Sequence, residues 1–263
     1  QKTPLLARGP GNILYLPLPD ALYAVDTVGH YAWMLSPWES SDGKTSKLIN
    51  PRTFLACTAD EQAFYVVFGD KAGNYKLAAI NAKGEYLWKY WLGDISSAFL
   101  LTDNEGKIYA SVNFKKTAQG SKGGKLNQGK VYCFKNSSGN SPLWSNSFSV
   151  ANQITAPVLG NSKTLYFTGG NKLYALDTEK GKVLWDTPLL KLVSTAAVSP
   201  NGYIYGGSSD GYLFAIKPSG RLAWFRQLDG AVERAPLIGP DNFIYVHTAK
   251  GSLYKIKDNF KES

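Results

Sequence analysis

Leu173 to Trp185 reads LYALDTEKGKVLW, and this stretch decides the fold. Leu173–Leu176 is a short run of β-formers, Asp177–Gly181 is turn chemistry, and Val183–Trp185 opens a second run. An Asp at the start of such a turn accepts hydrogen bonds from the amides just ahead of it, and Gly181 can take a positive φ that a Cβ resists. The unit is a β-hairpin ending in a Trp.

Working outward, the same unit recurs as AVDTVGHYAW (Ala24–Trp33), AINAKGEYLW (Ala79–Trp88), CFKNSSGNSPLW (Cys133–Trp144) and AIKPSGRLAW (Ala215–Trp224). Each copy has a small residue, a turn Gly and a closing Trp. The five Trp stand 55, 56, 41 and 39 residues apart. A large apolar residue followed by Tyr precedes every hairpin: Leu14-Tyr15, Phe64-Tyr65, Ile108-Tyr109, Leu165-Tyr166, Ile204-Tyr205 and Ile244-Tyr245. The last pair has no hairpin Trp after it, so six modules are expected. Their approximate spans are 3–35, 52–90, 97–146, 155–187, 195–226 and 235–263.

Each module reads as four short strands. The fifth is the clearest copy: Thr195–Val198, Tyr203–Gly206, Tyr212–Ile216 and Leu222–Phe225, separated by Pro/Asn/Gly/Ser turns. A four-stranded meander of roughly 40 residues, repeated without helical periodicity, predicts a single all-β domain, a β-propeller over residues 1–263. The sixth module shows three strands and then KDNFKES without a Trp, so its outer strand is the uncertain point of ring closure.

Ala175, Asp177, Gly181, Lys182 and Trp185 together resemble the tryptophan-docking repeat of the pyrroloquinoline-quinone (PQQ) type, or quinoprotein-like, propellers. Lys180 stands where that family often has Thr. The resemblance extends over essentially the whole chain. It implies that Trp33, Trp88, Trp144, Trp185 and Trp224 pack between neighbouring blades as structural residues. Repeat-equivalent positions cannot all be one unique site.

Composition bounds the remaining possibilities. With 44% hydrophobic residues the chain can bury a sizeable core. No apolar run approaches the length of a membrane-spanning helix, and QKTPLLARGP carries no hydrophobic signal segment. Cys57 and Cys133 fall in different modules and define no disulfide framework. Asp103-Asn104-Glu105-Gly106 resembles part of a calcium loop but occupies the place of Pro200-Asn201-Gly202, which makes it a hairpin turn. Asn136-Ser137-Ser138 is formally a glycosylation acceptor that chance also produces.

Catalysis has little support in the sequence. His30 lies in a turn and His247 at a strand end, so neither a His-based metal cluster nor a nucleophile triad assembles. Quinoprotein dehydrogenases of the resembling family use an adjacent Cys pair and a calcium site around the quinone. This chain has no adjacent Cys pair, so neither PQQ nor another cofactor or metal is expected, and no catalytic residue is assigned.

The informative positions are those where the modules differ. Between its second and third strands the third module inserts Asn113–Lys130, with five Lys, four Gly and no acid. The crossing Ser36–Pro51 carries Trp38, Lys44 and Lys47, with Arg52 just beyond. In a meander propeller such loops emerge on one face. That face gathers the candidate partner-binding residues Trp38, Lys44, Lys47, Arg52, Lys115, Lys116, Lys122, Lys125 and Lys130, with Trp91 expected in the second crossing and Arg226 and Arg234 in the fifth.

With 29 Lys and Arg against 20 acids the net charge is +9, which favours anionic partners. The expected role is a non-enzymatic scaffold outside the cytoplasm (periplasm, cell envelope or secreted). Such a role is similar to that of the propeller lipoprotein of the bacterial outer-membrane β-barrel assembly machine. The partner is another protein with an acidic surface, or an anionic envelope component. The alternative is a small-molecule, glycan or cofactor site in a central channel, as in a sensor or a quinoprotein-type oxidoreductase. Nucleic acid is not expected, because no recognition motif accompanies the charge.

Overall fold

Asp177 makes the turn of the quoted stretch. Its Oδ1 accepts the amides of Glu179 (3.0 Å) and Lys180 (2.7 Å), and Gly181, at φ 67°, donates its amide to the Asp177 carbonyl. The flanking residues pair as antiparallel strands, Lys172–Asp177 with Val183–Pro188. Asp26 and Asn81 repeat the device in the first two modules, each accepting two turn amides through Oδ1.

The computed structural model describes residues 7–18, 21–35, 54–60, 62–69, 74–115, 127–161, 163–192 and 194–257. The first sheet comprises β1 (Ala7–Arg8), β2 (Leu14–Pro17), β3 (Leu22–Val25) and β4 (Tyr31–Leu35). The second comprises β5 (Phe54–Ala59), β6 (Phe64–Gly69), β7 (Tyr75–Ile80) and β8 (Tyr86–Gly93). The third comprises β9 (Ile95–Thr102), β10 (Lys107–Phe114), β11 (Asn127–Lys135) and β12 (Trp144–Val150). The fourth comprises β13 (Val158–Leu159), β14 (Thr164–Gly169), β15 (Lys172–Asp177) and β16 (Val183–Pro188). The fifth comprises β17 (Ala197–Val198), β18 (Ile204–Gly207), β19 (Tyr212–Ile216) and β20 (Leu222–Gln227). Among the described residues the sixth has three strands, β21 (Leu237–Ile238), β22 (Phe243–His247) and β23 (Leu253–Lys257).

Strand order follows chain order in every sheet, so each is a meander. Two short 3-10 turns, Pro10–Asn12 and Asn136–Ser138, are the only helical elements among the described residues. Two compact units hold the chain. One is Gln1–Thr117 with Lys130–Ser145, and the other is Ala118–Gly129 with Asn146–Ser263.

Within a sheet the two sequence signatures meet. Tyr15 lies across from Ala24, and Ala24 across from Trp33. The rows Tyr65–Ala79–Trp88, Tyr166–Ala175–Trp185 and Tyr205–Ala215–Trp224 repeat this register. The central methyl leaves the two flanking rings free to approach over it. Their centroids are 5.7, 6.2, 5.7 and 6.1 Å apart, and Tyr109 and Trp144 of the third sheet stand at 6.1 Å. Such aromatic pairs add to burial. A bulge directly after each of these Ala residues turns the outer strand.

The Trp also reaches the next sheet. Trp33 Nε1 donates to Ala82 O (2.7 Å), Trp88 Nε1 to Asn136 Oδ1 (2.9 Å) and Trp185 Nε1 to Pro218 O (3.1 Å). The six-membered rings of Trp33 and Trp185 lie directly on Gly84 and Gly220 of those turns. In the sixth sheet the residue across from Tyr245 is Lys255. Its ammonium lies 4.1 Å from the Phe243 ring centroid and 3.0 Å from Asp241 Oδ2, so a cation covers the aromatic row there.

The signature Tyr has a second task that the sequence did not reveal. Tyr65, Tyr109 and Tyr245 donate their hydroxyls to Asp60 (2.8 Å), Asp103 (2.9 Å) and Asp241 (3.0 Å) in the hairpin turn before them. Tyr15 is fully buried against Phe64, and its hydroxyl has no partner among the described residues. Burial pushes its pKa up to about 12. Tyr15→Phe is therefore expected to leave stability unchanged or raise it by up to about 1 kcal/mol, because it removes an orphaned polar group. Tyr65→Phe strips a hydrogen bond from a carboxylate and is expected to cost about 2 kcal/mol. Urea unfolding of both variants checks the pair, and equal losses would contradict it.

Candidate interaction surface

The rim residues singled out in the sequence divide between the two units. Trp91, Lys115 and Lys130 belong to the first, Arg226 and Arg234 to the second. Trp38, Lys44, Lys47, Arg52, Lys116, Lys122 and Lys125 lie outside the described residues. Arg234 is exposed in the crossing before β21.

Three placements differ from the sequence reading. Trp91 is on β8 rather than in the crossing after it, because Tyr75–Ile80 continues to pair with Tyr86–Gly93 through two bulges. Arg226 is likewise on β20, across from Leu213. The Asn113–Lys130 insertion is narrower than the sequence suggested. Asn113 is buried in β10 with its Nδ2 bonded to Ser97 Oγ (3.0 Å), and Lys130 is on β11 with its ammonium 4.8 Å from the Tyr132 ring centroid. Ladder pairing and this aromatic row extend both strands into a stretch whose Lys and Gly content reads as loop.

β8 builds the surface. Trp88 and Tyr90 turn toward the core shared with the third sheet, where Trp88 is 7% exposed. Lys89 and Trp91 fall on the opposite face, and Trp91 is 64% exposed, while the other described Trp are buried or half-buried. The Trp91 ring lies over Gly93, at φ 90°, where an added Cβ would come 4.0 Å from the ring. Lys76 is directly across from Trp91 on β7, and the Lys89 ammonium sits 3.4 Å from the Tyr86 ring centroid.

At the same strand end Lys115 pairs with Asp94 (2.5 Å) and approaches the Tyr75 ring at 5.9 Å. The hydrogen bond to Asp94 holds the Lys115 ammonium above the ordinary lysine pKa. The Lys115 amide also donates to Asp94 O, which anchors the departing loop. Lys76, Lys89, Tyr75 and Tyr86 were not singled out in the sequence. The alternation Leu87, Lys89, Trp91 carries the signal, because one exposed strand face continues past Trp88 to Trp91.

Other polar clusters are engaged locally. A cleft of 440 Å³ between hairpin turns of the second and third sheets is lined by Asp60, Gln62, Asp103, Asn104 and Glu105. Asp60 and Asp103 already hold turn amides and Tyr hydroxyls, and Glu105 pairs with Lys107. Asp103–Gly106 is thus a turn. His30 pairs with Asp26 at 3.2 Å, and His247 is exposed at the end of β22. Cys133 is buried, and among the described residues no three His, Cys, Asp or Glu groups are placed to hold a metal ion.

Comparison with known proteins agrees with this architecture. No curated protein sequence matches the chain. Among solved structures, the C-terminal WD40 domain of Sif2 aligns at TM-score 0.64 and 12% identity, over 93% of this chain and 63% of that one. BBS1N, crystallised in complex with ARL6DN, aligns at 0.57 and 13%, over 99% and 81%. BamB from Moraxella catarrhalis aligns at 0.44 and 12%, over 98% and 83%. These identities speak for the fold alone. No helix among the described residues is long and apolar enough to cross a membrane. Residues 127–199 match the family model described as outer membrane protein assembly factor BamB. The chain folds as a β-propeller, and over residues 127–199 its repeats resemble those of the PQQ-type assembly factor BamB.

Proposed function

We propose that the chain is a non-catalytic, extracytoplasmic interaction module that gathers a protein partner on a basic, aromatic surface. The observation that carries this reading is the acid-free run 115–126 between β10 and β11, with four Lys, whose first residue Lys115 pairs with Asp94 three residues after the exposed Trp91. A rigid base with a cationic connection attracts an acidic surface at long range and speeds its arrival. Two comparisons support a protein partner: the assembly-factor description matched by residues 127–199, and BBS1N, a neighbour crystallised with another protein. On this reading no PQQ is bound.

Replacing residues 116–126 by a short Gly/Ser linker is expected to abolish salt-sensitive capture of a partner from the cell envelope while leaving thermal unfolding unchanged. Unchanged capture would overturn the reading. A small bound mass or a quinone spectrum in native mass spectrometry would instead assign the function to a ligand site.

A further inference from the structure

Exposed Trp91 has a different environment from the repeat Trp. Trp33, Trp88 and Trp185 each direct the indole N–H to an acceptor in the next sheet. Trp91 occupies no repeat position, and its ring rests over Gly93 with most of its surface in solvent. Among the described residues Lys76 and Lys89 share its face: Lys76 lies across the strand pair, and Lys89, two residues back, holds its ammonium over the Tyr86 ring. The nearest carboxylate along the chain, Asp94, is paired with Lys115. Glu85 lies in the turn at the far end of β8, bonded to Asn81. The apolar cluster between the first and second sheets includes Phe68, Ile80 and Tyr86 but not Trp91.

We infer that Trp91, with Lys76 and Lys89, is the anchor of a docking site for an extended acidic segment of a partner protein. The inference rests on the scaffold reading above and specifies its partner. The spacing supports an extended ligand. Same-face residues on a strand recur at about 7 Å, the period at which an extended peptide presents alternate side chains. A segment alternating carboxylates with apolar residues can set an apolar side chain on the indole and its carboxylates on the flanking ammonium groups. Aromatic anchors ringed by complementary charge are the usual places where interface energy concentrates.

The test uses two labelled probes, a peptide alternating Glu with Leu and Phe, and a polyglutamate of equal charge, with binding read by fluorescence anisotropy on the whole chain. The alternating peptide is expected to bind more tightly than polyglutamate. Trp91→Ala should weaken the alternating peptide by at least about tenfold, and Lys76→Glu with Lys89→Glu by more, with unfolding midpoints unchanged. No binding of the alternating peptide, or binding indifferent to Trp91→Ala, overturns the site. If the 116–126 replacement still abolishes envelope capture in that case, the scaffold reading survives without this site. If it does not, both fail. Trp91-dependent binding to phosphatidylglycerol vesicles, with no response to the peptide, would overturn the inference in favour of a lipid surface.

Discussion

Trp88→Ala is expected to lower the free energy of unfolding by about 3–5 kcal/mol, the range for truncating a large buried aromatic side chain. Trp88 is 7% exposed, its ring stacks on Phe134 at 5.6 Å and meets Tyr65 at 6.2 Å, and its N–H reaches Asn136 in the next sheet. Truncation removes these contacts and leaves the side-chain Oδ1 of Asn136 without the indole donor, so loss of packing and loss of a polar partner add. Three residues along the same strand, Trp91→Ala is expected to change stability by no more than about 0.5 kcal/mol, as for an exposed site. Denaturant midpoints at constant slope measure both, and comparable losses would refute the division of roles along β8.

Gly220→Ala is expected to cost about 2–4 kcal/mol, combining the left-handed backbone penalty with overpacking. Gly220 sits at φ 84°, and a Cβ there would lie 2.7 Å from Trp185 Cδ2, so the ring must leave its seat and its bond to Pro218 O is disturbed. Gly29 is the control. It occupies the same turn position in the first module at φ 87°, yet a Cβ there meets nothing within 4 Å among the described residues. Gly29→Ala is expected to carry only the backbone term, about 1–2 kcal/mol. The difference between the two variants in equilibrium unfolding isolates the cost of displacing an indole, and equal losses would show that the ring adjusts freely.

The repeat architecture was legible because its determinants are local. A small residue, an Asx or Gly turn and a Trp at fixed offsets specify a hairpin wherever they occur, and recurrence of the pattern signals stacked sheets. The Ala between Tyr and Trp was visible as a small residue, but its purpose required the register that aligns all three across a sheet. The interaction surface was legible only in part. Lys115 and Trp91 stood out for breaking the repeat, whereas Lys76 and Lys89 fall inside ordinary strands and become neighbours of Trp91 only through β7–β8 pairing.

By itself, then, the sequence determined the short strands, their turns, the meander order and the repeat family that the chain resembles. Those follow from side-chain period, positive-φ glycines and aromatic spacing, which act within a few residues of one another. Tertiary structure alone decided where β8, β10 and β11 end, that Lys76 and Lys89 share a face with Trp91, and that Lys255 occupies the row opposite Tyr245. Those outcomes depend on what a neighbouring strand or sheet lays over each side chain, a relation between residues far apart in the chain that local pattern does not encode.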